Sequence, residues 1–384
     1  MADTPKTQKP STIAVHGGAP RRGPGEPVSQ PIVQSVNYVQ DFGTSDLVYT
    51  RYGNTPNEEI VQKRIAMLEG AEAALVLASG MGATACALTA LLRPGDHLVS
   101  STWIYGGTRR LFGEEFVSMG IDVTFADPDE RRAFRSSIRK NTRAIFVESP
   151  VNPTCRVLDI DQLATLAKNQ GVALVVDSTL ASPINARPIM QGADVVIHSA
   201  TKYLNGHNDI LCGVVAGSAP YIDEVRNKMM IWGQAPDPFA CWLLERGLKT
   251  LDVRVQRINQ NAQRVAEWCA KRPEIARVHY PGLPDHRDHQ IAKKMLSGFG
   301  GLMSIELKGG ADAADSFVRK LGMITYAASL GGVVSLIIEP RFSSHAHMTS
   351  EERAAIGIPD GFLRMSIGLE DADDIIADIE QALQ

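Results

Sequence analysis

The stretch VALVVDSTLASPINARPIMQGADVVIHSATK, residues 172–202, decides the fold class of this chain. It holds two short apolar runs, VALVVDS (172–178) and DVVIHS (194–199), and polar residues follow the apolar part of each. Continuous apolar runs of this length are typical of strands that are buried on both faces of a parallel sheet. Because open α/β sheets bind ligands at the carboxyl ends of their strands, the residues after each run are candidates for a site.

The alternation of apolar runs with helical stretches begins well before this segment. Four earlier runs are AALVLAS (73–79), HLVSS (97–101), DVTFAD (122–127) and RAIFVES (143–149). The apolar spacing after Pro56 predicts a helix that stops at Gly70. This order of elements predicts an α/β fold with a mostly parallel central sheet that is covered by helices on both faces.

The length of the chain and the change of composition along it predict two domains and an N-terminal arm. A chain of 384 residues is longer than one ordinary domain. Residues 1–55 are rich in Pro, Gly and polar residues, so we expect an arm that is either disordered or docked on another surface. Residues 56–250 form the predicted α/β domain. Residues 251–384, which open with a long helical stretch, form a smaller C-terminal α/β domain.

The composition argues against several classes of function. Hydrophobic residues make up 44% of the chain and the net charge is −4, whereas a nucleic-acid footprint is normally basic. Five cysteines without a CxxC pair argue against a disulfide framework and against a metal site. No apolar signal region and no run of membrane-spanning length occur, so we expect a soluble, cytoplasmic protein without a membrane partner.

Glycines follow the first apolar run. The tetrapeptide Ser79-Gly80-Met81-Gly82 leads into a stretch that is rich in Ala, Leu and Thr. Backbone N–H groups at such a strand-to-helix turn, together with the helix dipole, can hold a phosphate. A plain turn with small residues for packing explains the tetrapeptide equally well on its own.

A carboxylate and an amine follow two later runs. Asp177 sits where its strand is predicted to leave the sheet, and Lys202 lies three residues after the run 194–199, with the hydroxyls of Ser199 and Thr201 shortly before it. Asp177 alone is explained more simply as a helix cap. A lysine held in a pocket, however, can have a depressed pKa and form a Schiff base. Together with a phosphate cradle, the carboxylate and the amine suggest a site for pyridoxal phosphate (PLP).

An aromatic side chain follows the second apolar run. Tyr105 begins the segment YGGT (105–108), and a tyrosine in that place could stack on a cofactor ring. A tyrosine of the hydrophobic core is the simpler explanation when the residue is considered alone.

The segment HSATKYLNGHND (198–209) resembles the PLP-lysine signature of the Cys/Met-metabolism, or trans-sulfuration, enzymes. That family has PLP-dependent transferase fold type I, the aspartate-aminotransferase-like class. The resemblance covers nearly the whole chain. Its further motifs are TRYGN (50–54), LEGAEAALVLASGM (68–81), YGGT (105–108), ESPVNPT (148–154), VVDSTLASP (175–183), RGLKTL (246–251), GFGG (298–301), SLGG (329–332) and RMSIGLED (364–371).

The resemblance implies a PLP-dependent enzyme and a role for each matching position. Lys202 would bond the cofactor and later move protons, and Asp177 would pair with the ring nitrogen. Tyr105 would stack on the ring and assist proton transfer, and Asn152 would bond the ring hydroxyl. The residues that would hold the phosphate are Gly80, Met81, Ser199 and Thr201.

The resemblance also implies a substrate clamp and a neighbouring subunit. Arg364, helped by Ser329, would bind the carboxylate of an amino-acid substrate through its guanidinium fork. Tyr49 and Arg51 would reach the phosphate of a neighbouring subunit, which explains an aromatic residue and a cation at the end of the arm. A homo-oligomer follows, usually a tetramer built as a dimer of dimers.

The chain departs from the family pattern in three places. Val334 stands where the family commonly has a glutamate near the mouth of the active site. Because of this difference, the resemblance does not fix the identity of the substrate. The usual DNTF is Asp177-Ser178-Thr179-Leu180, and the usual NPT is inverted to Asn54-Thr55-Pro56.

The precise reaction is narrowed but not fixed by the resemblance. The segments 207–209 and 232–259 look most like cystathionine γ-synthase, which joins an activated homoserine ester to cysteine. Methionine γ-lyases commonly have a cysteine after the YG pair, where this chain has Gly107, and cystathionine γ-lyase stays a close alternative. A catalytically silent binding paralogue is a more distant alternative, because Lys202, Asp177, Tyr105 and Arg364 are all present.

Overall fold

The larger sheet is mixed but mostly parallel. The computed structural model describes residues 8–45, 47–130, 132–346 and 348–384. The strands of this sheet are β1 (Ala73–Leu77), β2 (His97–Ser101), β3 (Asp122–Ala126), β4 (Thr142–Glu148), β5 (Ala173–Asp177), β6 (Val195–Ser199) and β7 (Gly213–Gly217). Their spatial order is β1-β7-β6-β5-β4-β2-β3. Strand β7 is antiparallel to both of its neighbours, and the other adjacent pairs are parallel. The predicted α/β fold with a mostly parallel sheet is therefore confirmed.

The apolar runs form strands because both of their faces are covered. In β4, Ile145 and Val147 pack into one hydrophobic cluster with helix residues, whereas Phe146 packs into another on the opposite face. All six runs recognised in the sequence are strands. Strand β7 was not predicted, because glycine has a low preference for strands and Gly213 begins it. A Cβ on Gly213 would lie 2.1 Å from the carbonyl oxygen of Ser79, so a close approach requires this glycine.

Helices cover both faces of the larger sheet and one side of a second sheet. The helices are α1 (Pro10–His16), α2 (Pro56–Glu69), α3 (Gly80–Leu91), α4 (Gly106–Arg110), α5 (Ala133–Ser137), α6 (Ile160–Gln170), α7 (Ser182–Asn185), α8 (Ala219–Trp232), α9 (Pro238–Leu248), α10 (Leu251–Cys269), α11 (His289–Met295), α12 (Gly310–Lys320), α13 (Ser350–Ala355) and α14 (Ala372–Leu383). The helix predicted after Pro56 is α2, and it ends at Gly70, which adopts the left-handed conformation that glycine favours. None of these helices in the described part of the chain is long and apolar enough to cross a membrane.

The second sheet lies in the C-terminal third of the chain. Its strands are β8 (Ile275–His279), β9 (Leu302–Leu307), β10 (Thr325–Tyr326), β11 (Leu336–Ile338) and β12 (Phe362–Ser366), in the order β10-β11-β12-β9-β8. Residues of β8, β9 and β12 share a hydrophobic cluster with α10, α12 and α14. The domain boundaries 56–250 and 251–384 stay predictions.

Part of the N-terminal arm is docked on its own chain. Ile13 and Ala14 of α1 are buried in the cluster that also contains residues of α2 and α10. Arg64 of α2 is fully buried, donates from Nε to the carbonyl oxygen of Gly17 at 2.8 Å, and forms an ion pair with Glu245 at 3.0 Å. These contacts fix the start of the arm. Farther along, the apolar side chains of Val28, Val39 and Phe42 are exposed.

Candidate functional site

Three neighbouring strands bring polar side chains to the same edge of the larger sheet. Strands β4, β5 and β6 are adjacent and parallel, and they end at Glu148, Asp177 and Ser199. Carboxyl ends of parallel strands meet at one edge, which is where open α/β sheets bind ligands. Lys202 follows β6 by three residues, so the predicted carboxylate and amine do belong to one edge of the sheet.

Lys202 is half-buried, and its amine reaches the second sheet's side of the molecule. Its Nζ donates to Ser329 Oγ at 2.7 Å, across a sequence separation of 127 residues. Burial, followed by the nearby positive charge of Arg364, lowers the pKa of Lys202 to about 8. The amine is therefore much closer to neutrality at physiological pH than an ordinary lysine, as a nucleophilic or basic lysine requires.

The loop after Lys202 is held by a buried arginine. Arg254 of α10 donates from Nη1 to the carbonyl oxygen of Tyr203 at 2.8 Å and from Nη2 to that of Leu204 at 3.2 Å. Gly206 has a φ of 76°, and a Cβ there would lie 2.0 Å from Arg254 Nη1. The glycine of this motif is needed both for its backbone conformation and for the approach of the guanidinium.

Asp177 is anchored from one side and open on the other. Its Oδ1 accepts hydrogen bonds from the backbone N–H of Thr179 at 3.0 Å and from Thr179 Oγ1 at 2.6 Å. Thr179 Oγ1 in turn accepts from the N–H of Ser199 at 2.8 Å, so one hydroxyl connects the ends of β5 and β6. Burial raises the pKa of Asp177, although the Thr179 hydrogen bonds oppose this rise.

The predicted phosphate residues converge only in part. A Cβ on Gly80 would lie 2.8 Å from Ser199 Cβ, so the turn after β1 touches the end of β6. Ser79 caps α3 by accepting from the N–H of Gly82 at 3.0 Å. The Thr201 hydroxyl bonds the backbone of the segment before β7, accepting from the N–H of Cys212 at 3.1 Å.

Met81 contacts the segment that carries Tyr105. The Met81 sulfur lies 3.9 Å from Thr108 Oγ1, which donates to it, and a Cβ on Gly107 would come within 3.2 Å of the same sulfur. The predicted residues of the first turn and of YGGT are thereby neighbours in space.

Tyr105 and Asn152 flank the end of β4. The Tyr105 side chain is 48% exposed, and Tyr105 directly precedes α4; its stacking on a cofactor ring stays a prediction. The Asn152 side chain is half-buried, and its Oδ1 is buried without a hydrogen-bond partner among the described residues. Such an oxygen is costly to leave unpaired, which points to a donor from a bound molecule.

Arg364 and Ser329 lie together on the side of the second sheet. Arg364 is a buried residue of β12, and its Nη2 donates to the carbonyl oxygen of Ser329 at 2.5 Å. Its Nε is buried without a partner among the described residues. Ser329 has a φ of 83°, a left-handed conformation that is unfavourable for a residue with a Cβ and that often marks a functional position.

Tyr49 and Arg51 contact each other, and Arg51 also contacts α8. The Arg51 guanidinium lies over the rings of Tyr49 and Tyr52, at 5.6 Å and 5.5 Å from their centroids, and Nη1 donates to the carbonyl oxygen of Met230 at 3.2 Å. Within the described residues these contacts join Arg51 to the arm and to α8. The proposed role of the pair in a neighbouring subunit stays a prediction.

Glu148 and Thr179, which the structure places among the groups at the strand ends, were not singled out from the sequence. Both lie in motifs that resemble the family, ESPVNPT (148–154) and VVDSTLASP (175–183). The sequence around them does not indicate, however, what either side chain binds. Thr179 could have been found as a hydroxyl two residues after a strand-end carboxylate, which is a common turn pattern. Glu148 gave no such signal, because an acid at the end of an apolar strand is usually explained as a helix cap.

The chain resembles a solved PLP-dependent enzyme over its whole length and matches one known family. The chain superimposes on the crystal structure of cystathionine γ-synthase from Xanthomonas oryzae pv. oryzae, in complex with aminoacrylate and cysteine, with a TM-score of 0.93, 38% identity and 98% of each chain covered. The fold is therefore that of the fold-type-I PLP-dependent enzymes. Residues 11–384 match the family described as Cys/Met metabolism PLP-dependent enzyme, and the chain belongs to that family.

Relatives with the same sequence identity to this chain are named for different reactions. The chain is 38% identical to an L-methionine γ-lyase of Fusobacterium nucleatum subsp. polymorphum, with 97% of each chain covered. It is also 38% identical to a cystathionine γ-lyase of Bacillus subtilis, with 98% of this chain and 99% of the relative covered. Overall identity consequently places the chain in trans-sulfuration chemistry and does not select one reaction.

The residues at the strand ends fit PLP. Asp177 forms no ion pair among the described residues, so its carboxylate is available to a protonated ring nitrogen. The unpartnered Oδ1 of Asn152 is available to a ring hydroxyl, and the amine of Lys202 is available to an aldehyde. Gly80 and Met81 lie in the first turn of α3, where backbone N–H groups have no partner within the helix and can bind a phosphate.

We expect the apo-protein to take up PLP faster as pH rises, with a midpoint near the pKa of Lys202, about 8. Only the unprotonated amine attacks an aldehyde, and a lowered pKa makes that form abundant at a lower pH. The measurement is stopped-flow absorbance of PLP uptake from pH 6 to 10. Arg364→Gln removes a charge that lowers this pKa, so its midpoint is expected at higher pH. A wild-type midpoint near 10, the ordinary lysine value, would contradict the assignment.

Proposed function

We propose that this enzyme catalyses γ-replacement on an O-activated homoserine, with cysteine as the thiol, to give cystathionine. The observation that carries the proposal is the position of the Lys202 amine, 2.7 Å from Ser329 Oγ and beside Arg364, with Asp177 at the same sheet edge. A γ reaction needs proton removal at Cα and again at Cβ, so one mobile base has to act twice. A half-buried amine with a pKa of about 8 is suited to that task.

The substrate would be held by groups of the second sheet. Arg364 would bind the α-carboxylate, because its buried guanidinium has an unpartnered Nε and is held in place through Ser329. Ser329 Oγ, which accepts a hydrogen bond from Lys202 Nζ at 2.7 Å, would help Arg364 to place the carboxylate. When bound, PLP supplies an electron sink that eases loss of the substrate α-proton.

The cofactor would be held by groups of the larger sheet. Asp177 would keep the ring nitrogen protonated, and Tyr105 would cover one face of the ring with its half-exposed side chain. Asn152 would donate to or accept from the ring hydroxyl. The phosphate would be held by Gly80, Met81, Ser199 and Thr201.

The segment after Tyr105 supports a reaction other than that of methionine γ-lyase. A Cβ on Gly107 would lie 2.6 Å from Tyr105 Cε1 and 3.2 Å from the sulfur of Met81. A cysteine at this position, which methionine γ-lyases commonly have, would push the Tyr105 ring aside. The ring of Tyr105 here occupies space that the lyase side chain would need.

A second candidate function, γ-elimination, is favoured by Val334. This residue is 44% exposed and apolar, five residues after Ser329, where the family often has a glutamate. A cysteine acceptor brings an ammonium group of its own, for which a carboxylate at the mouth is a natural partner. Without that carboxylate, γ-elimination from a substrate whose side chain carries no second ammonium group, such as methionine, is the alternative.

The experiment that tests the proposal is a product assay on the holoenzyme. O-succinyl- or O-acetylhomoserine with cysteine is expected to give cystathionine. Cystathionine supplied alone would give 2-oxobutanoate, cysteine and ammonia if γ-elimination is the main reaction. Pyruvate from cystathionine would reveal β-cleavage and would overturn both candidates. The Lys202→Ala variant is the blank for each substrate.

We further propose that the arm serves a homotetramer built as a dimer of dimers. Exposed apolar side chains of the arm, among them Val39 and Phe42, are suited to burial against another copy of the chain. Tyr49 and Arg51 would then reach the phosphate site of the neighbouring subunit. Cytoplasmic localisation stays a prediction from the sequence.

A further inference from the structure

Glu148 is a buried acid that the proposed reaction does not use. It is the last residue of β4 and is 5% exposed. Among the described residues it forms no ion pair, so no cation compensates its charge. Burial, and next the charge of Asp177, raise its pKa. Burying a carboxylate without a cation is costly, so its retention requires specific hydrogen bonds or a function.

Both oxygens of Glu148 accept hydrogen bonds from backbone groups of the proposed cofactor site. Oε2 accepts from the N–H of Tyr105 at 2.8 Å, and Oε1 accepts from the N–H of Asn152 at 3.0 Å. Tyr105 is 43 residues earlier in the chain, at the start of α4, whereas Asn152 lies in the loop after β4. One carboxylate therefore ties together two segments that approach the site from different strands.

A carboxylate is the only common side chain that can make both bonds in this geometry. A glutamine of the same size has one acceptor oxygen, and its amide nitrogen would face a second N–H donor. An aspartate is one methylene shorter and would not span both donors. The surroundings of Glu148 also include Asp177, its partner residue in the β4–β5 register, with Ser149 N–H donating to the Asp177 carbonyl oxygen at 3.1 Å.

We propose that Glu148 is a positioning residue that fixes Tyr105 and Asn152 on two sides of the bound cofactor ring. This inference rests on the proposed function, since it assumes that those two residues face the ring. Glu148 itself touches neither cofactor nor substrate. It acts through the backbone at the two residues that do.

Glu148→Gln is expected to weaken the visible circular dichroism of the bound cofactor, because that signal depends on how the ring is held. It is also expected to lower kcat by about 10- to 100-fold, as a misplacement near 1 Å does, with KM for the amino-acid substrate changed less than about threefold. Glu148→Asp is expected to behave alike. A merely structural role would lower the thermal midpoint and leave the circular dichroism of the folded holoenzyme unchanged.

Asp378→Asn is the matched control. Asp378 is a buried acid of α14 whose oxygens also accept from backbone N–H groups, those of Gly322, Met323 and Ile324 at 2.7 to 3.0 Å. It lies outside the proposed site, so the variant is expected to lose stability and to keep the wild-type kcat and circular dichroism.

The outcomes separate this inference from the function on which it rests. If the wild-type chain binds PLP and Glu148→Gln keeps both kcat and the circular dichroism, the positioning role is overturned while the proposed function stands. If the wild-type chain binds no PLP, the proposed function fails first. Should neither Glu148 variant fold, amide hydrogen exchange of the wild-type holoenzyme decides. Protection of the Tyr105 and Asn152 amides supports the inference, and free exchange overturns it.

Discussion

Lys202→Ala is expected to abolish the visible absorption band of the PLP-loaded enzyme and to lower kcat/KM by about 10⁴-fold or more. The amine of Lys202 is the group that we propose bonds the cofactor and moves protons, and it lies 2.7 Å from Ser329 Oγ. Alanine removes both tasks at once while leaving the strand end intact. Absorbance of the protein dialysed against PLP, followed by the product assay, measures the two effects.

The control for this change is Lys63→Ala. Lys63 lies on the exposed face of α2 and pairs with Glu59 at 2.9 Å. Exposed pairs of this kind contribute little, so the variant is expected to keep the absorption band and a rate within about twofold of wild type. Turnover by Lys202→Ala at a rate near wild type would contradict the proposed mechanism.

Asp177→Asn is expected to lower kcat/KM by about 10²- to 10⁴-fold, because removing one partner of a desolvated charge pair costs about 3–5 kcal/mol. Asparagine keeps the size of the side chain, and its oxygen can still accept from Thr179, so the turn after β5 should persist. What is lost is the negative charge that would keep the ring nitrogen protonated. The absorption band is expected to remain, since Lys202 is unchanged.

A matched variant at the opposite edge of the same sheet separates the effect of charge from the effect of folding. Asp194→Asn changes a carboxylate that accepts from the N–H of Leu174 at 2.8 Å, near the start of β5. It is expected to alter stability and to leave kcat/KM close to wild type. An Asp177→Asn variant with unchanged kcat/KM would show that the carboxylate has no role toward the ring.

Much of the larger sheet was predictable, because its strands are buried on both faces and read as continuous apolar runs. Six runs became six strands, and the positions of Asp177 and Lys202 at one sheet edge followed from their place after two of them. Strand β7 escaped prediction, since Gly213 is selected by the close approach of Ser79 and not by strand preference. Tertiary contact outweighed local propensity there.

The finer structure of the site was less predictable for a physical reason. Glu148 accepts a hydrogen bond from Tyr105, 43 residues away, and Ser329 accepts one from Lys202, 127 residues away. Because both contacts are distant in sequence, no local sequence pattern predicts them. The left-handed backbone of Ser329 likewise depends on its surroundings. The choice among replacement and elimination depends on a few side chains such as Val334, which neither periodicity nor overall identity reveals.

The bond between Lys202 and Ser329 joins two parts of the protein to which we assign separate tasks. Groups proposed to hold the coenzyme come from the seven-stranded sheet, whereas Arg364 and Ser329 come from the five-stranded sheet and its loops. Substitutions in the last third of the chain could therefore change which amino acid binds, while the residues proposed to hold the coenzyme stay the same. The same division can be tested with chimaeras. In these, the residues after 300 are replaced by the C-terminal segment of a related enzyme, and the chimaera is expected to show that enzyme's substrate preference.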